Sequence, residues 1–436
     1  MINIIFLFVY VLFSDALSPI TLNYLLSVQC AMLIVLYLRK YKKAFVTPIF
    51  LFYASVILVN YANLSLINEY KTGTIRPGNF LVPALIGEAI KLWCISCTFI
   101  MLGYDFLSSK GLPSIAIEIN NKKIFSLLFW ILLIINLRKI IFPNSPLELG
   151  SDFKLINIFS ILFFARLWTK ENSKTYRAYA LTLYIVITYI AIISAFLRFD
   201  LILPTVSLFA GFFIGKENLK YLFTYRIIPL LIILAIYASI FKSLQSNRSN
   251  FSAVIFRNTE IAGNSNFENV NEGTGLLERT SNLSQLTSVM RLVKENGFYN
   301  GKVSEPLLAG LIPRFLWPDK PTIALGSWFA TEITGSHYGK HVRSTNSINM
   351  MIAGELYLDF GWMGVMIGSL FTGAFFAILW NATKFYSSQY NLTGIIFGGY
   401  VLIVSMSSFG ADLQIVISLM SLYFTLFIIK KIVKKT

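Results

Sequence analysis

Apolar runs of roughly 17 to 24 residues recur along this chain, and that length is what carries an α-helix across about 30 Å of hydrocarbon. The runs lack the period-2 alternation of outer-membrane barrel strands, so helices are expected. Hydrophobic residues fill 56% of the 436 positions and charged residues only 13%, which is more apolar surface than one soluble core buries. A bilayer must be the solvent. The sequence predicts an all-α, polytopic integral membrane protein of about twelve spanning helices. The first half places spans near 2–17, 20–38, 44–60, 80–103, 122–142 and 153–169. The second half places them near 178–196, 199–215, 226–242, 357–380, 392–409 and 414–430.

A net charge of +16 raises the question of nucleic acid, and its distribution answers it. The excess sits beside the spans. Arg39, Lys40, Lys42 and Lys43 form one cluster, Lys122 and Lys123 a second, and Lys170, Lys174 and Arg177 a third. Lys216, Lys220 and Arg226 follow, then Lys430, Lys431, Lys434 and Lys435. Placing every cluster on one side gives a consistent alternating topology with both termini cytoplasmic. Cys30, Cys94 and Cys97 all fall in apolar runs, and Cys94-x-x-Cys97 has no second pair, so they read as small buried hydrophobes. The first run lacks a basic leading region and a small-residue cleavage site and reads as a retained helix.

The organisation is nine spans over 1–241, a polar segment over 242–349, and three spans over 350–436. Parity puts the polar segment outside, and a loop of that length in a compact protein tends to be functional. Its first part, 245–275, is rich in Asn, Ser and Gly and reads as coil. Leu276, Leu283, Leu286, Met290 and Val293 then line one face of a helix that stops at Gly297. Arg279 falls on that apolar face, where a guanidinium requires an anionic partner. Arg291 turns away to solvent.

Four constellations bear on chemistry. Ile312 to Pro321 contains three prolines and two aromatics, which enforce a stiff non-helical path. Arg314 and Lys320 project from it, and Phe315 and Trp317 either stack on a sugar ring or plug the loop against the membrane. Glu355 and Asp359 lie four residues apart at the entry to the tenth span. They are either functional carboxylates or partners of Arg314 or Arg343 that fasten the loop. Arg198, in the outer turn between the seventh and eighth spans, either pairs with Asp200 or grips a lipid-borne phosphate. His337 and His341 have i, i+4 spacing, but Gly335 and Gly339 argue for loop, and a metal site lacks further ligands. Glu88 and Lys91, one turn apart in the fourth span, are expected to neutralise each other. No phosphate loop, dinucleotide fingerprint or zinc-protease motif is present.

Residues 311–321, Leu-Ile-Pro-Arg-Phe-Leu-Trp-Pro-Asp-Lys-Pro, followed by Gly354-Glu355-Leu-Tyr357-Leu-Asp359-Phe-Gly361, resemble the bacterial Wzy family of O-antigen repeat-unit polymerases. The motif resemblance covers about residues 275 to 365. Arg198 would match an arginine at an earlier outer turn, and members often carry Asn where Asp359 stands. The resemblance implies a GT-C-like architecture in the bacterial inner membrane with its active site on the periplasmic face. It implies transfer of a growing glycan from undecaprenyl diphosphate onto an incoming lipid-linked repeat unit, with a chain-length regulator as a possible partner and no cofactor, metal or nucleic acid.

Diphosphate is a good leaving group, so the protein mainly supplies preorganised cations and a base for the acceptor hydroxyl. On this reading Arg198, Arg279 and Arg314 hold diphosphate, with Lys320 as a weaker contact and Trp317 and Tyr357 completing the substrate-binding set. Glu355 is the first choice of base, His337 or His341 the second. Two rival functions stay open: an O-antigen ligase, which delivers glycan to lipid A core, and a lipid-linked oligosaccharide flippase. The flippase requires ionisable groups deep in several spans and an inverted repeat, neither of which the sequence displays.

Overall fold

A computed structural model describes residues 2–40, 47–73, 80–110, 112–118, 121–141, 151–194, 198–216, 281–304, 325–334 and 348–406, with isolated positions between 419 and 431. The described residues are mostly helical and contain no strand. The helices are α1 (Ile2–Leu12), α2 (Pro19–Lys40), α3 (Pro48–Lys71), α4 (Ile86–Leu107), α5 (Lys122–Ile141) and α6 (Ser151–Glu171). They continue as α7 (Lys174–Ser194), α8 (Arg198–Lys216), α9 (Leu283–Asn296), α10 (Leu325–Thr334), α11 (Met351–Thr383) and α12 (Leu392–Met406). Four described segments are long and apolar enough to cross a membrane: Pro19–Arg39, Pro48–Lys71, Pro83–Leu107 and Met351–Thr383. The run expected at 226–242 lies outside the described residues.

The helices track the apolar runs, and the departures have local causes. The first run yields only the short α1, because Ser14 and Asp15 turn the chain before Pro19 starts α2. α3 continues to Lys71 rather than ending near Asn60. Its amides are satisfied internally, so polarity there does not demand water. Asn60 accepts a hydrogen bond from Trp93 Nε1 at 2.9 Å and donates to Ser27 Oγ at 3.0 Å, and Asn23 donates to the Asn60 carbonyl at 2.7 Å.

The chain divides into two compact units. The first comprises Met1–Ile115, Gly273–Ala382 and Val401–Thr436. Within it α4 and α11 cross at close range. Gly103 lies against the backbone of Leu370 and Gly373 against that of Ile100, so neither position has space for a Cβ. Small residues of this kind let membrane helices gain dispersion contacts that lipid would otherwise supply. Ser96 and Ser369 hydrogen-bond across the same contact at 2.8 Å. Ser96→Ala removes only that bond and is expected to cost about 0.6 kcal/mol. Thermal denaturation in detergent should register a small loss, and a shift as large as that of Asp359→Ala, argued below, would contradict it. The cysteines Cys30, Cys94 and Cys97 are buried and free.

The second unit comprises Ala116–Glu272 and Thr383–Tyr400. Its core is aromatic: Phe129 stacks on Tyr179 at 4.1 Å, and Phe125 meets Phe163 edge-on at 5.2 Å. Asn136 and Asn157 exchange amide hydrogen bonds between α5 and α6 at 3.1 and 3.3 Å. Arg166, 2% exposed, was not singled out by its sequence context. It donates from Nη1 to the Phe385 carbonyl at 2.9 Å and lies over the Phe385 ring. On α5, Leu127, Trp130, Ile134 and Ile141 form an exposed apolar stripe at helical spacing.

Candidate functional site

The polar segment expected outside the membrane contributes α9, and α9 is built into the first unit rather than hung from it. It begins at Leu283, later than the apolar pattern suggested, and stops where expected at Gly297, whose φ of 75° ends the helix. Leu276 and Arg279 lie outside the described residues. The buried face is Leu283, Leu286, Val289, Met290 and Leu292. Three of these were in the expected stripe, whereas Val293 is only half-buried.

Polar bonds fix the helix at each level. Asn63 of α3 accepts from Ser281 Oγ at 2.7 Å and donates to Asn282 Oδ1 at 3.0 Å. Thr287 accepts from the Val82 amide, and Ser288 donates to the Phe80 carbonyl. The extended backbone entering α4 therefore borrows its hydrogen-bond partners from α9. Arg291 does not simply turn to solvent. Its Nη2 donates to the Ile333 carbonyl at 3.2 Å, near the C-terminal end of α10, where a cation is favoured.

Glu88 and Lys91 do not neutralise each other as expected. Lys91 pairs with Asp15 at 3.0 Å and Glu88 with Lys294 at 3.5 Å. Each finds its counter-charge on another element, a pairing that spacing along α4 cannot reveal.

The next turn, 297–304, is fastened to α11. Tyr299 and Asn300 donate backbone N–H groups to the carbonyls of Leu358 and Asp359. The Asp359 carboxylate then takes four more bonds. Oδ1 accepts from the amides of Gly301 and Val303 at 3.1 and 3.2 Å, and Oδ2 accepts from the Ser304 amide at 2.9 Å and from its hydroxyl. Asp359 is fully buried. Of its two open readings, the fastening one describes it, through backbone N–H groups and the Ser304 hydroxyl; Arg314 and Arg343 lie outside the described residues.

α11 contains a break that separates this segment from the rest of the helix. Gly361 has φ 62° and ψ −153°, so residues 351–360 and 362–383 are two helical pieces joined at a kink. The expected span near 357–380 therefore contains the kink. Glu355 lies in the first piece, 1% exposed and one turn before Asp359. Tyr357 is 8% exposed, its ring edge-on to Phe298 at 5.9 Å and to Trp362 at 5.6 Å. It sits in an aromatic row, and Lys91 lies 6.0 Å from the Trp362 ring.

The structure brings Glu355 and Tyr357 together on one segment of the first unit. Arg198 starts α8 in the second unit. Arg279, Arg314, Trp317, Lys320, His337, His341 and Arg343 lie outside the described residues. Among the described residues no three His, Cys, Asp or Glu side chains gather to hold a metal ion. Lys91, Trp362 and Asp15 were not expected at the site, and the only signal for them was a lysine inside an apolar run. No protein-family model, curated protein or solved structure matches this chain.

Proposed function

We propose that this chain is a multi-pass glycosyltransferase that polymerises oligosaccharide repeat units carried on a polyprenyl diphosphate. In this reading about twelve spans of GT-C-like arrangement lie in a bacterial inner membrane, with both termini cytoplasmic and α9 to the start of α11 on the periplasmic side. The basic clusters support that orientation. The observation that carries the reading is the buried Glu355. It sits on a short helical piece held between α9 and the kink, at the head of a membrane-spanning helix. A carboxylate that the fold buries and holds in one place at the head of an apolar helix suits a positioned acid–base group.

Glu355 would orient or deprotonate the acceptor hydroxyl. Arg198, Arg279 and Arg314, with Lys320, would stabilise the charge that develops as the diphosphate leaves. Trp317 would stack on sugar, and His337 or His341 would serve if Glu355 only positions the acceptor. Tyr357 supports the wall of the site through its packing against Phe298 and Trp362.

The test is the surface glycan profile of a deletion strain complemented with wild type or Glu355→Ala. Wild type is expected to restore a ladder, and Glu355→Ala is expected to leave core carrying a single repeat unit. Complete loss of capped core in the deletion strain, with lipid-linked polymer intact, would instead identify a ligase.

A further inference from the structure

The placement of the Asp15–Lys91 pair in depth points to a ligand. The segment Pro83–Leu107 has 25 residues, about 37 Å at about 1.5 Å per residue, against about 30 Å of hydrocarbon. With that segment centred on the bilayer, Lys91, about 12 Å along it from Pro83, lies about 8 Å inside the hydrocarbon edge. The turn between α1 and α2 lies at the same level. Pro19 touches the space beside Gly87 at 3.7 Å, and Asp15 reaches Lys91 at 3.0 Å. At the opposite end of α1, Asn3 donates to Asp105, so α1 lies along α4 and stops short of its outer end. This leaves a step within the first unit, where α1 ends lower than α4.

The Asp15 side chain is 90% exposed in that step, whereas the Lys91 side chain is 24% exposed. An exposed carboxylate at hydrocarbon depth is not sustained by acyl chains, so water or a polar headgroup must reach it. The two partners are also unequal. Lys91 is the charge that burial would leave stranded, and Asp15 is the one that solvent already serves. Asp15 is therefore a replaceable counter-ion. Trp362, an aromatic suited to the interface, lies against Lys91. Below it on α11, Met363, Ile367 and Phe371 present an exposed apolar stripe.

We propose that this step is the lateral docking site for the phosphate head of a polyprenyl-linked substrate. The phosphate replaces Asp15 as the partner of Lys91, the group beyond it lies beside Trp362, and the isoprenoid tail follows the stripe on α11. The proposal rests on the membrane placement given above and names the entry route to that same site through the aromatic row of Trp362 and Tyr357.

Full-length protein in nanodiscs of zwitterionic lipid would be titrated with a polyprenyl phosphate, with bound lipid counted by native mass spectrometry. Lys91→Gln is expected to weaken binding at least about tenfold, the loss of one charge-assisted contact. Asp15→Asn is expected to bind as well as wild type or more tightly, because it removes the competing anion. A merely structural pair would make both variants fail alike. Wild-type affinity in Lys91→Gln, or weaker binding in Asp15→Asn, overturns the proposal. If Lys91→Gln does not fold, the sign of the Asp15→Asn effect decides. Inorganic phosphate at equal concentration should not displace the lipid, and displacement overturns the assignment to a lipid head. Because no glycan is involved, a chain that binds through Lys91 yet makes no polymer would retain this site and refute the polymerase reading.

Discussion

Asp359→Ala is expected to free the 297–304 turn from α11 and to destabilise the detergent-solubilised protein by about 3 kcal/mol. The carboxylate accepts four hydrogen bonds, three of them from backbone amides that have been taken out of solvent. Removing it strands the donors, and an unmade buried bond costs more than a made one contributes. Asp359→Asn should cost roughly half as much. Its carbonyl still serves the amides of Gly301 and Val303, and its NH2 can donate to a rotated Ser304 hydroxyl, but that NH2 faces the Ser304 amide, donor against donor. The predicted order of melting temperature is wild type, Asn, Ala. Limited trypsin digestion provides a second readout, since Lys302 lies in the released turn and should be cut faster in both variants, fastest in Ala. Equal loss in Asn and Ala, or no change at Lys302, would show that the turn is held by something else.

How far the sequence discloses this arrangement depends on the range of the interaction. The apolar runs are legible because a long apolar helix leaves its length in the sequence, so α2 and α4 to α8 fall close to their expected positions. The end of α9 is legible because only glycine readily takes the positive φ that terminates it. The role of Asp359 is not legible. Its partners are backbone N–H groups, which every residue carries, so no residue type marks them. The pairs Lys91–Asp15 and Lys294–Glu88 are hidden for a different reason. The nearer neighbour in sequence offers a plausible partner, and only the packing of α1 and α9 on α4 decides otherwise. Asn60 misled in the opposite sense, because its polarity mimicked a helix end while its amide was already satisfied within the bundle. Of the candidate site, the placement of Glu355 and Tyr357 at the head of an apolar helix was legible. Its setting was not, because a glycine in a motif does not announce the conformation it adopts.

That glycine supplies the second large effect. Gly361→Ala is expected to cost about 2–5 kcal/mol and, on the proposed polymerase reading, to abolish long polymer. At φ 62° and ψ −153° the backbone occupies a region that is essentially restricted to glycine. An added Cβ would also meet Phe298 Cζ at 3.0 Å. The two contributions are separable. Phe298→Ala in the same chain clears the overlap but leaves the backbone strain, so the double variant should recover only part of the loss, and full recovery would show that the conformation of Gly361 is not the constraint. The strained chain also has an escape, which is to let residues 351–383 close into one continuous helix. Straightening turns the 351–360 piece and carries Asp359 away from the amides of 301–304. Gly361→Ala should then share the rapid cleavage at Lys302 that marks Asp359→Ala. A Gly361→Ala protein that is destabilised yet resists trypsin at Lys302 would mean that the kink and the fastened turn are independent. Cleavage in both variants would make the kink the element that sets where Glu355 stands.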